Sequence, residues 1–264
     1  MPWRAFGVVA QRTSEHADGG SDVMTFDDRE ASRPWFYVVM AGLCLGVALI
    51  GFAGTFFSPL AQGRFDAPNV IFVHGGLFFA WVILFVVQPS LIRVRAYGVH
   101  KMLGAAGCVM ALGMAASGVG VGLFAAERDF AAGGGETAIS TLLGVCTAMA
   151  MFVLLVGAGV AFRQRPETHK RLMLLATLAV LWPAWFRFRH YFPAVPHPEF
   201  WFAVVAADSL ILVCMIRDRL VLGHVHPVFL WIGPTIIADH LLEVLLFDSP
   251  MWRIAARAVF NSLT

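Results

Sequence analysis

The hydrophobic pattern of this chain consists of seven long apolar runs separated by short polar segments. Each run is close to twenty residues or longer, and about 20 apolar residues in a helix cross the roughly 30 Å hydrocarbon core of a bilayer. The pattern therefore predicts an all-α fold, a polytopic membrane bundle of seven transmembrane helices within residues 35–248. The predicted spans lie at 35–57, 68–92, 101–125, 138–162, 171–189, 199–216 and 227–247.

The segments on either side of this bundle differ from it in composition. Residues 1–34 are rich in Ser, Asp and Gly, which predicts a disordered cytoplasmic tail, and translation could begin at Met1 or at Met24. Residues 249–264 begin with Ser-Pro, a pair typical of a helix N-terminus. Apolar residues fall on one face of this predicted helix and two arginines on the other. We therefore expect an amphipathic helix that lies on the membrane surface.

Composition and charge agree with a lipid bilayer as the surroundings. The 264 residues are 59% hydrophobic and 14% charged, with a mean hydropathy of +0.74, whereas a soluble domain is about half apolar and about a quarter charged. The net charge of +2 is dispersed, so no nucleic-acid partner is indicated. Lys and Arg are in excess in the tail and in alternate loops. This excess predicts a cytoplasmic N-terminus and a C-terminus on the outer side of the membrane.

Three polar loops repeat one motif, Arg-x-Arg followed by a histidine. The motif occurs at 93–100, 163–169 and 217–226, and each histidine stands where the next helix begins. Because the loops share one side of the predicted bundle, we expect the histidines to converge as ligands of a transition metal or of haem b. They are His100, His169, and either His224 or His226. Alternatively, the arginines only set the orientation of the chain, or they bind an anion together with the helix N-termini.

Ionisable residues within the apolar runs form a second candidate site, since such residues are costly in a membrane and often functional. We expect Arg187 to pair with Asp208 in the outer half of the bundle. His74 or His240 would complete a polar pocket. Arg187, Asp208 and His74 together would bind a quinone or relay protons. Alternatively, the two histidines are axial haem ligands, or the ion pair only fixes the register of the helices. Two further polar residues of the spans have no assigned partner, Gln88 and Glu243.

Motifs shared with a known group of proteins run through most of residues 35–250. They are HGGLFFAW followed by a glutamine, VHKMLG, RPETHKRLMLLATLA and GHVHP. The chain resembles a group of bacterial seven-helix integral membrane proteins without an established activity. This resemblance implies the bacterial inner membrane, with the C-terminus in the periplasm, and it favours His226 over His224. More distantly, the histidines near opposite faces of antiparallel helices look similar to those of two-haem b-type membrane cytochromes. That likeness implies haem ligation.

One function is preferred on these observations. It is a redox module that binds haem b, a transition metal or a quinone. The alternatives are a small transporter or channel subunit with an intramembrane Arg/Asp/His site, a membrane-embedded metal-binding protein or enzyme, and a structural or assembly protein. The seventh run contains no lysine, which excludes a retinal Schiff base there, and the sequence has no Walker motif. Protein partners are not indicated.

Overall fold

Residues 35–264 are described by a computed structural model, and within that range the chain is helical with no strand. The predicted tail, residues 1–34, lies outside the described residues. The principal helices are α1 Trp35–Phe52, α2 Asn69–Arg93, α3 Tyr97–Asp129, α4 Gly135–Ala161, α5 Pro166–Ala179, α6 Ala207–Leu222, α7 Gly233–Leu246 and α8 Pro250–Leu263.

Shorter helical segments extend or connect these helices. A π-helical turn continues α1 through Ala53–Phe57, and similar turns lead into α6 at Trp201–Ala206 and into α7 at Val228–Ile232. After α5 the chain forms Trp182–Phe186 and a 3-10 turn at Arg187–His190. The helical stretches are therefore longer than the principal helices alone.

Six helical stretches in the described range are long and apolar enough to cross a membrane, which confirms the prediction of an all-helical, multi-pass architecture in its general form. Apolar side chains on the outside of the bundle, such as Val109 and Leu154, are 73% and 70% exposed in the isolated chain. A lipid bilayer would cover them. The stretches are Trp35–Ala61, Asn69–Arg93, Tyr97–Ala161, Pro166–His190, Pro198–Leu222 and Val228–Leu246.

The third stretch, 65 residues long, folds back on itself. At its kink Gly133 has φ 93°, a left-handed conformation that glycine adopts without strain. The two halves, α3 and α4, then pack closely over small residues. A Cβ on Gly118 would lie 2.7 Å from Sδ of Met149, and one on Gly122 would lie 3.0 Å from Val145.

Aromatic residues at the start of α1 form cation–π contacts with basic residues of three other helices. The guanidinium of Arg93, at the end of α2, lies 3.4 Å from the ring centre of Trp35. Lys170 of α5 lies 4.9 Å from the ring centre of Tyr37, and Arg217 of α6 lies over Phe36. We call this the basic end of the bundle. It is the end at which the three Arg-x-Arg loops were predicted to meet.

The opposite end is formed where α1 and the chain after α5 meet. The hydroxyl of Tyr191 donates to the carbonyl of Ile50 at 2.7 Å. The guanidinium of Arg187 lies 3.9 Å from the ring centre of Phe52. Contacts at the C-terminal end of α1 thus hold the chain that follows α5 against it.

The C-terminal helix α8 is held against the start of α4. Ser249 caps α8 by accepting from the N–H of Trp252. The indole of Trp252 donates to the carbonyl of Ser140 at 3.0 Å, and Arg257 forms an ion pair with Glu136. Hydrogen bonds and an ion pair therefore attach this helix to the bundle.

Candidate functional site

A histidine and a carboxylate meet in the middle of the bundle. Nδ1 of His240 on α7 lies 2.8 Å from Oδ1 of Asp208 on α6. Each side chain is only 6% exposed. At 1.5 Å per residue, Asp208 lies about 15 Å from Pro198 and His240 about 18 Å from Val228. The contact therefore lies near the midpoint of two membrane-length stretches, and we call it the His240–Asp208 couple.

The second ring nitrogen of His240 repairs a break in a neighbouring helix. Nε2 lies 3.3 Å from the carbonyl oxygen of Ala179, the last residue of α5. In an unbroken helix this carbonyl would accept from the N–H four residues later, but Pro183 occupies that position and has no N–H. His240 therefore supplies the donor that Pro183 lacks.

These contacts determine how many protons the couple holds. A carbonyl oxygen only accepts, so Nε2 of His240 carries a hydrogen. The contact between Nδ1 and Oδ1 then requires one more proton, held as imidazolium with carboxylate or as imidazole with carboxylic acid. Both forms are neutral overall, which lowers the cost of burying them. Loss of this proton would leave a net negative charge in the interior, so the couple holds one proton.

The other carboxylate oxygen of Asp208 is buried. Within residues 35–264 no hydrogen-bond partner reaches Oδ2. A buried polar atom without a partner costs about 1–3 kcal/mol, so such an atom calls for water, a ligand or a proton. Oδ2 is thus the atom of the couple that could still accept a hydrogen bond or a proton.

A second protonatable residue lies one turn further along α7. Oε1 of Glu243 is in short contact with the hydroxyl of Thr147 on α4, and that hydroxyl also lies 2.9 Å from the carbonyl of Gly144. The threonine hydroxyl has one hydrogen and two neighbouring acceptors. A protonated Glu243 satisfies both contacts, since it donates to Thr147 while Thr147 donates to Gly144.

The predicted ion pair between Arg187 and Asp208 is wrong. Nη1 of Arg187 donates to the carbonyl of Pro183 at 2.8 Å, and in the described part of the chain Arg187 has no carboxylate within ion-pair distance. The reason is the helix break at Pro183. After this break the chain places Arg187 at the end of the bundle opposite the basic end. Asp208 lies deeper and pairs with His240 instead.

His74 is separate from the couple. Its Nδ1 lies 3.1 Å from the hydroxyl of Ser117 on α3, and that hydroxyl donates to the carbonyl of Met114. Nδ1 of His74 is therefore the donor to Ser117. Both ring nitrogens of His240 have protein partners, Asp208 and the Ala179 carbonyl, so His240 presents no free nitrogen to a haem shared with His74 in this structure.

Two of the loop histidines do come together at the basic end. The rings of His100 and His169 are perpendicular, with their centres 6.4 Å apart. Nδ1 of His169 faces the carbonyl of Gly159 at 2.7 Å and donates to it, which leaves Nε2 for a ligand. Nδ1 of His100 and Oε1 of Gln88 are buried without a partner in the described part of the chain.

The third predicted ligand, His226, is engaged elsewhere. Its backbone N–H donates to Oδ2 of Asp218 at 3.3 Å, and its Nδ1 accepts from the N–H of Val228. His224 is exposed and contacts the carbonyl of Leu222. No group of three or more His, Cys, Asp or Glu residues between 35 and 264 is arranged to hold a metal ion.

Asp218 belongs to a buried ionic network that was not predicted from the sequence, where Arg171 counted only toward the orientation of the chain. Nε and Nη2 of Arg171 each donate to Asp218 at 3.0 Å, and both side chains are fully buried. Nη1 of Arg171 donates to Glu167 at 2.6 Å. Burial, together with the Arg171 charge, lowers the pKa of His226. This network joins α5 to α6 and to the start of α7.

Glu243 had no partner in the prediction from sequence, and His240 was only an alternative to His74 beside the predicted Arg187–Asp208 pair. The signal in the sequence was the run DHLLE in an otherwise apolar segment, which puts His240 and Glu243 one turn apart on α7. Their partners, Asp208 and Thr147, come from α6 and α4. The rotation of three helices about their axes selects these partners, and one sequence does not reveal that rotation.

Comparison with known proteins yields no relative. No model of a protein family, no curated protein and no solved structure matches the chain.

Proposed function

We propose that the chain is a small proton-coupled transporter, or a proton-conducting subunit, of the bacterial inner membrane. The observation that carries the proposal is the His240–Asp208 couple, a buried site for one proton near the middle of two membrane-length helices. Ionisable residues at that depth are costly and are kept for ion pathways and proton relays. Asp208 has its Oδ2 available, and Glu243 provides a second protonatable group on the same helix.

The proposed topology has seven crossings. The stretch Tyr97–Ala161 would be about 98 Å long as one straight helix, about three times the hydrocarbon thickness. Since α3 and α4 pack against each other, we count them as two crossings. The excess of Lys and Arg at the basic end places that end and the N-terminus in the cytoplasm. The C-terminus and α8 then lie at the periplasmic surface.

Transport requires that the couple exchange its proton with one side at a time. When loaded, the couple is neutral and its burial costs little. When it has released the proton it is negative, and the low-dielectric interior favours either a rearrangement that admits water or the arrival of a cation. Proton occupancy and helix arrangement are thereby linked, which is the basis of coupled transport.

The test is proton flux into proteoliposomes that contain an internal pH dye and a potassium gradient, with valinomycin to set the membrane potential. Wild-type vesicles should acidify faster than protein-free vesicles, and Asp208→Asn should remove this difference. Asp66→Asn, a change at an exposed carboxylate in a loop, should behave as wild type. Equal rates for wild-type and protein-free vesicles, or for wild type and Asp208→Asn, would contradict the proposal.

A second candidate function rests on the 6.4 Å separation of His100 and His169. Two imidazoles whose centres lie about 6–7 Å apart can bind one metal between them, since metal–nitrogen bonds are about 2.0–2.1 Å. His169 is oriented by the Gly159 carbonyl, as ligating histidines are. These residues would hold haem b or a transition metal at the basic end, where the group would supply electron transfer.

This second candidate is tested by visible spectra of oxidised and dithionite-reduced protein, with metal analysis of the same sample. We expect haem bands or bound metal in the wild type and in His226→Ala, and their loss in His169→Ala. A protein that stays colourless and metal-free after expression with added haem and metals would contradict it.

A further inference from the structure

A cavity of about 230 Å³ lies at the end of the bundle opposite the basic end, and we call it the Arg187 cleft. Its width is fixed by a close helix crossing. A Cβ on Gly51 would lie 2.3 Å from the carbonyl oxygen of Ala184, so α1 and the segment Trp182–Phe186 touch through backbone at this point. The cleft is lined by Gly51, Gly54, Thr55, Arg187, His190 and Tyr191.

Arg187 is a mostly buried cation whose charge is not balanced by an acid. It donates one hydrogen bond to the Pro183 carbonyl and lies over the ring of Phe52, while the described part of the chain brings no carboxylate to it. Arg171 shows the usual arrangement, because its guanidinium is hydrogen-bonded to Asp218 and to Glu167. A guanidinium has five N–H donors, so Arg187 retains donors for a ligand.

The other polar groups of the cleft favour an anion as well. Oγ1 of Thr55 is buried and has no hydrogen-bond partner within residues 35–264. The imidazole of His190 can donate a hydrogen bond into the cleft. The hydroxyl of Tyr191 already donates its hydrogen to the carbonyl of Ile50. None of the six lining residues in the described chain is acidic.

We propose that the Arg187 cleft binds an oxyanion, the phosphate or carboxylate group of a small molecule or of a lipid headgroup. The Arg187 guanidinium would bind two of its oxygens side by side, which is the geometry that planar guanidinium groups favour. The Thr55 hydroxyl would donate to a third oxygen of a phosphate. In a carboxylate it would donate to a free lone pair of one of the two oxygens. This inference does not depend on the proposed proton transport, because no hydrogen bond described above joins Arg187 to the His240–Asp208 couple.

The test is thermal unfolding of the full-length protein in nanodiscs made only of zwitterionic lipid, titrated with inorganic phosphate or acetate against sodium chloride of equal ionic strength. A ligand that binds the folded state raises its melting temperature. Wild type and Arg189→Gln should show equal, saturable stabilisation. Arg189 is the matched control because it neighbours Arg187 in sequence but does not line the cleft.

Arg187→Gln should weaken the apparent affinity by about tenfold or more, because it removes hydrogen bonds to a charged group. Arg187→Lys, which keeps the charge and guards against misfolding of the glutamine variant, should bind with intermediate affinity. If only nanodiscs with phosphatidylglycerol stabilise the wild type over Arg187→Gln, the oxyanion is a headgroup phosphate. The proposal is overturned if neither probe nor phosphatidylglycerol distinguishes wild type from Arg187→Gln, or if Arg189→Gln loses the response equally.

Discussion

Nδ1 of His240 lies 2.8 Å from Oδ1 of Asp208, and this contact joins α7 to α6 in the middle of the bundle. The opposite ring nitrogen satisfies a carbonyl of α5 that Pro183 leaves without a donor. One side chain therefore connects three helices and holds a proton at the same time. The couple therefore both connects the helices and holds a proton, and mutations can separate these two roles.

Removal of both members of the couple should cost less stability than the sum of the two single removals. His240→Ala leaves the Asp208 carboxylate buried without its partner, which should cost about 3–5 kcal/mol of unfolding free energy. The double variant Asp208→Leu with His240→Leu should cost less than the sum of the single leucine variants. Reversible unfolding in mixed detergent gives these values, and Ser117→Ala serves as a control away from the couple. Additive costs would show that the two residues do not interact.

The Arg171–Asp218 pair should not tolerate a conservative change. Arg171→Lys keeps the charge but loses the two parallel hydrogen bonds to Asp218, so we expect a loss of about 2–4 kcal/mol in stability. Thermal unfolding measures the loss. Arg219→Gln, at an exposed position of α6, should have little effect. A melting temperature of Arg171→Lys equal to that of the wild type would show that the two parallel hydrogen bonds to Asp218 are not required.

Two glycines of α1 should respond to alanine in opposite directions. Gly51→Ala places a methyl group 2.3 Å from the Ala184 carbonyl oxygen, so backbone must move and stability should fall by about 1–3 kcal/mol. Gly46 has open space around its Cβ position, and Gly46→Ala should stabilise the helix by about 0.5–1 kcal/mol. Melting temperatures of the two variants test the crossing. A Gly51→Ala protein as stable as Gly46→Ala would rule out the close contact.

Attachment of α8 should weaken in acid. Hydrogen bonds from Arg253, Thr137 and Ser140 hold the pKa of Asp248 well below its usual range. The lowered pKa means that this stabilisation is fully present above the pKa of the unfolded chain, near 3.8, and is lost as the pH falls through the folded value. Hydrogen exchange of the α8 amides, corrected for intrinsic rates, should accelerate as the pH is lowered below about 4.

Asp248→Asn isolates this effect from the neighbouring Glu136–Arg257 pair. The variant should exchange faster than the wild type at pH 7 and should show a smaller acceleration in acid. If the variant and the wild type have the same pH dependence, Asp248 is not the group that attaches α8.

The sequence was sufficient for the elements and for some of the neighbours. Apolar runs of membrane length predicted the helices, because a bilayer imposes both length and composition. The approach of His100 to His169 followed from two loops at one end of the bundle. His226 does not join them in a metal-binding group, because its backbone is bound to Asp218, a residue buried by the Arg171 network.

The choice of His240 rather than Arg187 as the partner of Asp208 could not be predicted. The prediction paired Arg187 with Asp208 from their opposite charges. In the structure α5 ends before Pro183, and Arg187 lies at one end of the bundle. The Ala179 carbonyl, which lacks a donor because of Pro183, accepts a hydrogen bond from His240. That choice depends on helix rotation and on a local break, and neither is encoded in the spacing of charges along the chain.

The most direct test of the His240–Asp208 couple is nitrogen-15 NMR of the His240 ring in the lipid-reconstituted protein, with assignment by comparison with His240→Gln. The account predicts that Nε2 stays protonated at every pH at which the protein is folded. It also predicts that the Nδ1 signal changes in a single one-proton step, which is absent from Asp208→Asn. A bare Nε2, or a ring whose signals are unchanged by pH and by Asp208→Asn, would contradict a proton-binding role for the couple.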